Sequence, residues 1–155
     1  MHQIDKLDAK ILRALQADAS ISVTDLASKV GLSTNACWKR VKRLEDDGFI
    51  LKRVALLNRS KVNQSVTVFV EIRTDRHEQK WLDEFASAVR GIPEIVEFYR
   101  MSGQVDYMLK IVCADIADYD RIYKNLIRSA TLRDVSAFFA MEQIKYTTEV
   151  PIGYS

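Results

Sequence analysis

One glycine, Gly31, separates two stretches that each open with a helix-capping residue and then repeat apolar side chains at three and four residues. Few folds accommodate that arrangement. In the first stretch Ser22 and Asp25 have the spacing of a capping box, with Asp in the place of the usual Glu, ahead of Leu26, Ala27 and Val30. In the second, Ser33 can accept from the unpaired amides of a first turn, and Gly48 follows the last turn, where a left-handed residue is favoured. Two short helices joined by about three residues including a glycine form the helix-turn-helix signal, whose second helix is free to enter a DNA major groove.

On a helical wheel Cys37, Val41 and Leu44 share one side of that second helix. Asn35, Lys39, Lys42 and Arg43 share the other, and Trp38 sits at the border. A net charge of +2 is too small to announce a nucleic-acid binder, so its distribution decides. Residues 1–56 hold ten Lys/Arg and seven Asp/Glu, whereas 57–155 hold thirteen and fourteen. The excess belongs to the helical part, where Lys39, Arg40, Lys42 and Arg43 fall in five positions. Asn35 is the expected base-edge contact, because an amide pairs in two places with adenine. Lys39, Lys42 and Arg43 suit guanine or phosphate. Ser33 and Thr34 begin the same surface, Arg40 lies nearer the buried side, and Trp38 either packs on the preceding helix or reaches DNA.

Upstream, Ile4, Leu7, Ile11, Leu12 and Leu15 describe an amphipathic helix over 5–18 with Asp5 as its cap. Downstream of Gly48, residues 49–57 are rich in β-formers and carry Lys52 and Arg53 at their middle. A two-stranded wing is expected, with these cations near its turn and aimed at the sugar-phosphate backbone. A solvated hairpin tip is the competing reading.

Residues 58–65 are polar, break both periodicities and have the composition of a linker between a domain at 1–57 and another at 66–155. Val66, Val68, Val70 and Ile72 then alternate with Thr67, Phe69, Glu71 and Arg73, as in a strand. A helix is expected over 77–90, a strand over 95–101, a turn at 103–106, and a strand over 107–114 with Tyr107, Leu109, Ile111 and Cys113 on one face. A helix from Asp115 and a strand over 135–146 close the series. The order βαββαβ is the ferredoxin-like arrangement, an antiparallel four-stranded sheet with helices on one face. The fold class is therefore α+β. Phe69, Phe138 and Met108 fall on the uncovered face, which points to pairing with a second copy.

No stretch approaches twenty apolar residues and no basic leader precedes an apolar run, so a cytoplasmic location is expected. Cys37 and Cys113 sit in apolar patterns and are expected to be reduced core residues. The two histidines, His2 and His77, lie far apart, and neither a phosphate-binding glycine loop nor metal-ligand spacing is present. No cofactor and no metal are expected, and an enzyme on a ferredoxin-like sheet is the weaker reading. An architectural DNA-binding protein without an effector is the other alternative to a regulator.

Leu7-Asp8, Ile11-Leu12, Gly31-Leu32-Ser33, the run from Arg40 to Ile50 and Gly103-Gln104-Val105-Asp106-Tyr107 resemble the leucine-responsive regulator/AsnC (feast/famine) family over essentially the whole chain. Cys37-Trp38-Lys39-Arg40 and the run from Phe139 to Thr148 are most similar to the branch that includes regulators of cysteine detoxification. The resemblance implies a transcriptional regulator working as a DNA-binding homodimer that assembles to octamers. It also implies a small effector, often an amino acid, with L-cysteine the candidate from that branch, near the turn after the second strand of the sheet domain. Carried onto this chain, that turn is Ser102, Gly103, Gln104, Val105 and Asp106, flanked by Arg100 and Tyr107. Glycine would let backbone amides approach a carboxylate, and Asp106 would hold an ammonium group; a plain tight hairpin is the competing reading. Where the family often has Pro-Gly before the last strand, this chain has Ser129-Ala130-Thr131-Leu132.

Overall fold

The computed structural model describes residues 4–76, 78–129 and 132–153. Both histidines, and positions 130 and 131 of the segment that replaces Pro-Gly, lie outside the described residues. The chain divides into two compact units, Met1–Leu56 with Lys145–Ser155, and Leu57–Ile144. Each has its own core.

The first unit is built on α1 (Lys6–Ala17), α2 (Val23–Val30) and α3 (Thr34–Asp46). Asp5 caps α1 in a reciprocal box, accepting from the Asp8 amide while the Asp8 carboxylate accepts from the Asp5 amide. The expected box at Ser22 is half formed: its Oγ accepts from the Asp25 amide at 3.1 Å and donates to the Asp25 carboxylate, which takes the hydroxyl in place of the Ser22 amide. Gly31 ends α2 at φ 78°, a left-handed position that other residues enter only with strain. Ile11, Leu26, Cys37 and Leu44 meet in a core that excludes water.

The expected two-stranded wing is absent, since residues 51–58 carry no strand. No ladder forms here, and Leu51, Val54 and Leu56 stand exposed. The sequence boundary is also revised at the far end. Residues 145–153, expected in the second domain, belong to the first unit. The Gln16 side chain accepts from the Val150 amide at 2.7 Å and donates to its carbonyl at 3.1 Å, while Arg13 donates to the Ile152 carbonyl.

The second unit contains β1 (Val66–Arg73), α4 (Gln79–Arg90), β2 (Ile95–Arg100), β3 (Tyr107–Cys113), α5 (Ile116–Ser129) and β4 (Asp134–Phe139). The sheet order is β2-β3-β1-β4, antiparallel throughout, which is the ferredoxin-like topology. The expected linker is ordered: Arg59–Val62 forms a 3-10 turn, and Arg59 donates to the Gln64 carbonyl and the Thr67 hydroxyl. Val68, Val70 and Ile72 point to the helices, with Leu109, Ile111, Phe85, Ile122 and Leu126 against them. The last strand is shorter than its aliphatic pattern suggests. Beyond Phe139 one more amide, that of Ala140, reaches the Thr67 carbonyl, and there β1 runs out.

Candidate nucleic-acid interface and ligand-binding turn

The recognition helix α3 starts at Ser33, whose Oγ accepts from the Ala36 amide at 3.3 Å. Cys37, Val41 and Leu44 fix one face in the core. Thr34, Asn35, Trp38, Lys39 and Lys42 are exposed. Lys42 bonds Asp46 one turn along at 2.8 Å, an arrangement that holds its proton more firmly. Lys39 makes no hydrogen bond or ion pair among the described residues and is free for phosphate.

The two arginines behave differently from the lysines. Arg40 donates to Asp5 at 2.6 Å and Asp8 at 2.8 Å, and Arg43 donates to the other oxygen of Asp8 at 2.5 Å. Asp8 is only 1% exposed. Burial works against its charge, but the bonds from Arg43, the Asp5 amide and Arg40 outweigh it and hold the carboxyl below the usual range. Asp5 is lowered too, first by the Asp8 amide and then by Arg40. Arg43, grouped from sequence with the outward cations, is thus turned back to tie α3 to α1. Its place on the wheel lies between the two faces, and a buried carboxylate decides which side wins. Sequence reasoning missed this network. Asp8 occupies the apolar stripe of α1, seven residues before Leu15 and three and four before Ile11 and Leu12, and a carboxylate in such a stripe demands cationic partners.

Of the two wing cations, Arg53 donates to Glu45 at 3.1 Å, while Lys52 is exposed and unpaired among the described residues. Trp38 belongs to neither core and is 53% exposed.

In the second unit the β2–β3 turn is closed by the Met101 amide on the Asp106 carbonyl at 2.8 Å. Ser102, Gly103 and Gln104 are exposed, Val105 is half-buried, and Arg100 is exposed at the end of β2. Gly103 has φ 117°, open to glycine but not to a side chain. Asp106 has one carboxylate oxygen engaged, accepting from the Thr74 amide at 2.8 Å, so it braces the turn against the end of β1. Tyr107 is not a surface flank. It is 4% exposed, on the helix-covered side, with Trp81, Phe85 and Phe98 around its ring. Its alternation with Leu109 and Ile111 already placed it in the core row.

Both cysteines are buried and free, and burial pushes their thiols up, away from the reactive thiolate. Among the described residues no cluster suits a metal ion, and no helix is long and apolar enough to cross a membrane.

The family comparisons also divide the chain in two, with the second match running past Ile144. Residues 4–45 match the AsnC-type helix-turn-helix domain and 67–150 match the Lrp/AsnC ligand binding domain. The chain is 47% identical to the DNA-binding transcriptional activator DecR of Escherichia coli K12 over 150 residues, covering 96% of this chain and 99% of that one. It is similar to an AsnC family transcriptional regulator from Agrobacterium tumefaciens, with 59% identity, TM-score 0.93, and coverage of 96% and 97%. A transcriptional regulator from Neisseria meningitidis, NMB0573 in complex with L-Met, aligns at TM-score 0.90 and 30% identity, again over 96% and 97%. A helix-turn-helix head joined to a ferredoxin-like ligand-binding domain defines a class of DNA-binding transcriptional regulators, not enzymes. The chain belongs to the Lrp/AsnC family of that class.

Proposed function

We propose that this regulator reads DNA through the exposed face of α3 and adjusts its binding to an amino-acid effector held at the β2–β3 turn. The observation that carries the first half is the division of labour on α3. Asn35, Lys39 and Lys42 face out from a helix whose arginines secure it to α1. An amide among free or half-neutralised cations suits a base edge flanked by phosphates. Ser33 and Thr34 bring the helix N-terminus to the same surface, and Lys52 supplies a further phosphate contact from the segment after Gly48.

The second half is supported by the turn itself, where Ser102, Gly103 and Gln104 leave backbone amides open beside Arg100, a pairing suited to a carboxylate. The Neisseria relative was solved with L-Met, and L-cysteine is the effector suggested for this chain by its branch resemblance. Asp106 contributes chiefly by bracing the turn.

One copy of α3 offers too few contacts for tight binding, so the reading includes a homodimer, assembling further to octamers, that presents paired heads to paired half-sites. Phe69, Phe138 and Tyr99 on the uncovered face of the sheet support the pairing. The test is a gel-shift titration on the fragment upstream of the chain's own gene, run with and without each of the twenty amino acids. A shift at discrete sites that one or a few amino acids modulate is expected. Uniform coating insensitive to all twenty would favour an architectural protein instead, and absence of binding at low salt would sink both readings.

A further inference from the structure

Every outward residue of α3 is polar except one. Trp38 has about half its surface in water, joins neither hydrophobic core and stacks on no ring among the described residues. Helical spacing sets it four residues from Thr34 and Lys42 and three from Asn35, at the edge of the polar face where that face meets Val41. Covering the exposed half of a side chain of that size would be favourable. Its neighbours state the chemistry of the cover. An amide suited to base edges and two lysines suited to phosphates lie along one side of it, and this local excess of positive charge fits DNA.

The largest apolar feature of the major groove for an indole to meet is the C5-methyl of thymine, where cytosine has only a hydrogen. We propose that Trp38 is a specificity-determining residue that selects thymine in each half-site by packing against its methyl group, beside the base edge read by Asn35. This rests on the reading of α3 as the DNA-contacting face. It assigns sequence preference to a residue with no cation and no base-pairing amide. The contact discriminates thymine from the other bases by excluding water from the methyl.

The test removes the methyl alone. Duplexes are selected by the full-length protein from a randomised pool, and the consensus is resynthesised with each thymine replaced in turn by deoxyuridine, which keeps every hydrogen-bonding group. The expected result is one thymine per half-site whose replacement weakens wild-type binding about fourfold, the worth of one buried methyl. Trp38→Ala should bind thymine and deoxyuridine duplexes equally at that position, and Trp38→Leu, which keeps an apolar surface, should restore part of the difference. Helix content by circular dichroism should match wild type, because Trp38 supports no core. A consensus with no methyl-sensitive thymine overturns the contact, as does a methyl effect that survives in Trp38→Ala. If no duplex is retained from the pool, the α3 reading itself fails and takes this inference with it.

Discussion

The outer face of α3 and the outer face of the sheet are both uncovered in a single chain, yet they are built from opposite materials. On α3 the exposed side chains are an amide, a hydroxyl, two lysines, one indole and the Asp46 carboxylate that pairs with Lys42. On the sheet, Phe69 and Phe138 are opposite one another on neighbouring strands, and Met108 and Tyr99 form a second such pair in the row that holds Glu71. Polar groups appear there mainly as a closed network. Lys110 donates to Glu97 at 2.7 Å, and the Tyr99 hydroxyl donates to the other oxygen of Glu97. These bonds hold Glu97 below its ordinary range, the one from Lys110 most of all. A face whose charges are already satisfied within one chain loses little when water is removed. A face with unspent donors gains from an anion. The first suits a second copy of the same surface, and the second suits nucleic acid.

The sharpest way to break this contrast is to place a charge among the sheet aromatics. Phe69→Glu should weaken self-association at least about a hundredfold. An isologous interface would lose two buried rings, each worth about 1.5–3 kcal/mol, and would gain two unpaired carboxylates. Sedimentation analysis would show monomer at concentrations where wild type is assembled, and DNA affinity would fall with it although α3 is untouched. Assembly unchanged by this substitution would remove the sheet face from the account.

Asp8→Asn tests the other region next. The two guanidiniums it serves are partly exposed, at 29% and 39%, so solvent compensates in part, and a loss of about 2–3 kcal/mol from the head is expected. Hydrogen exchange should quicken in α1 and α3 and remain unaltered in the sheet. The pH dependence has a definite sign. The folded carboxyl lies below its ordinary value of 3.8, so the unfolded state takes up protons first. The stabilisation is whole above the ordinary value and is lost as pH falls toward the folded one. Asp8→Asn should therefore lack that component of the wild-type head's acid destabilisation.

These two substitutions also mark where the sequence was legible. Period and caps placed the three helices, and strict alternation placed β1 and β3 with their buried rows, because side-chain direction follows directly from backbone period. Asp8 escaped because its partners lie more than thirty residues away, and the wheel for α3 ranks directions without knowing which neighbour carries a charge. Tyr107 was assigned to two places at once, to the core by alternation and to the ligand turn by resemblance, and burial upholds the first. The wing failed for a different reason: a β-forming run specifies an extended conformation but not the strand that completes it. The return of 145–153 to the head rests on Gln16 pairing with backbone at Val150, an interaction that leaves no periodic trace.

Within α3, Lys39→Gln and Arg43→Gln should separate phosphate contact from scaffolding. Lys39 is unpaired, so its loss should lower the slope of log affinity against log salt by about one unit per head. Arg43 is already neutralised by Asp8, so its loss should lower head stability and leave that slope nearly unchanged. Equal slope changes for both would mean that Arg43 leaves Asp8 for DNA.

The smallest expected effect concerns Glu71, which complicates the description of the sheet face as closed. It sits on the central strand between Met108 and Ser136, half-buried, with no hydrogen bond or ion pair among the described residues. Covering it with a second copy strips water from a charge that its own chain does not compensate, and symmetry doubles the cost. Glu71→Gln keeps the shape and removes the charge, so association should tighten about threefold to tenfold, on the order of 1 kcal/mol. Weaker association would mean that Glu71 is paired across the interface by a cation of the second copy. The outer face of the sheet would then resemble that of α3 in holding a charge for a partner, and the contrast between them would narrow to their aromatic content.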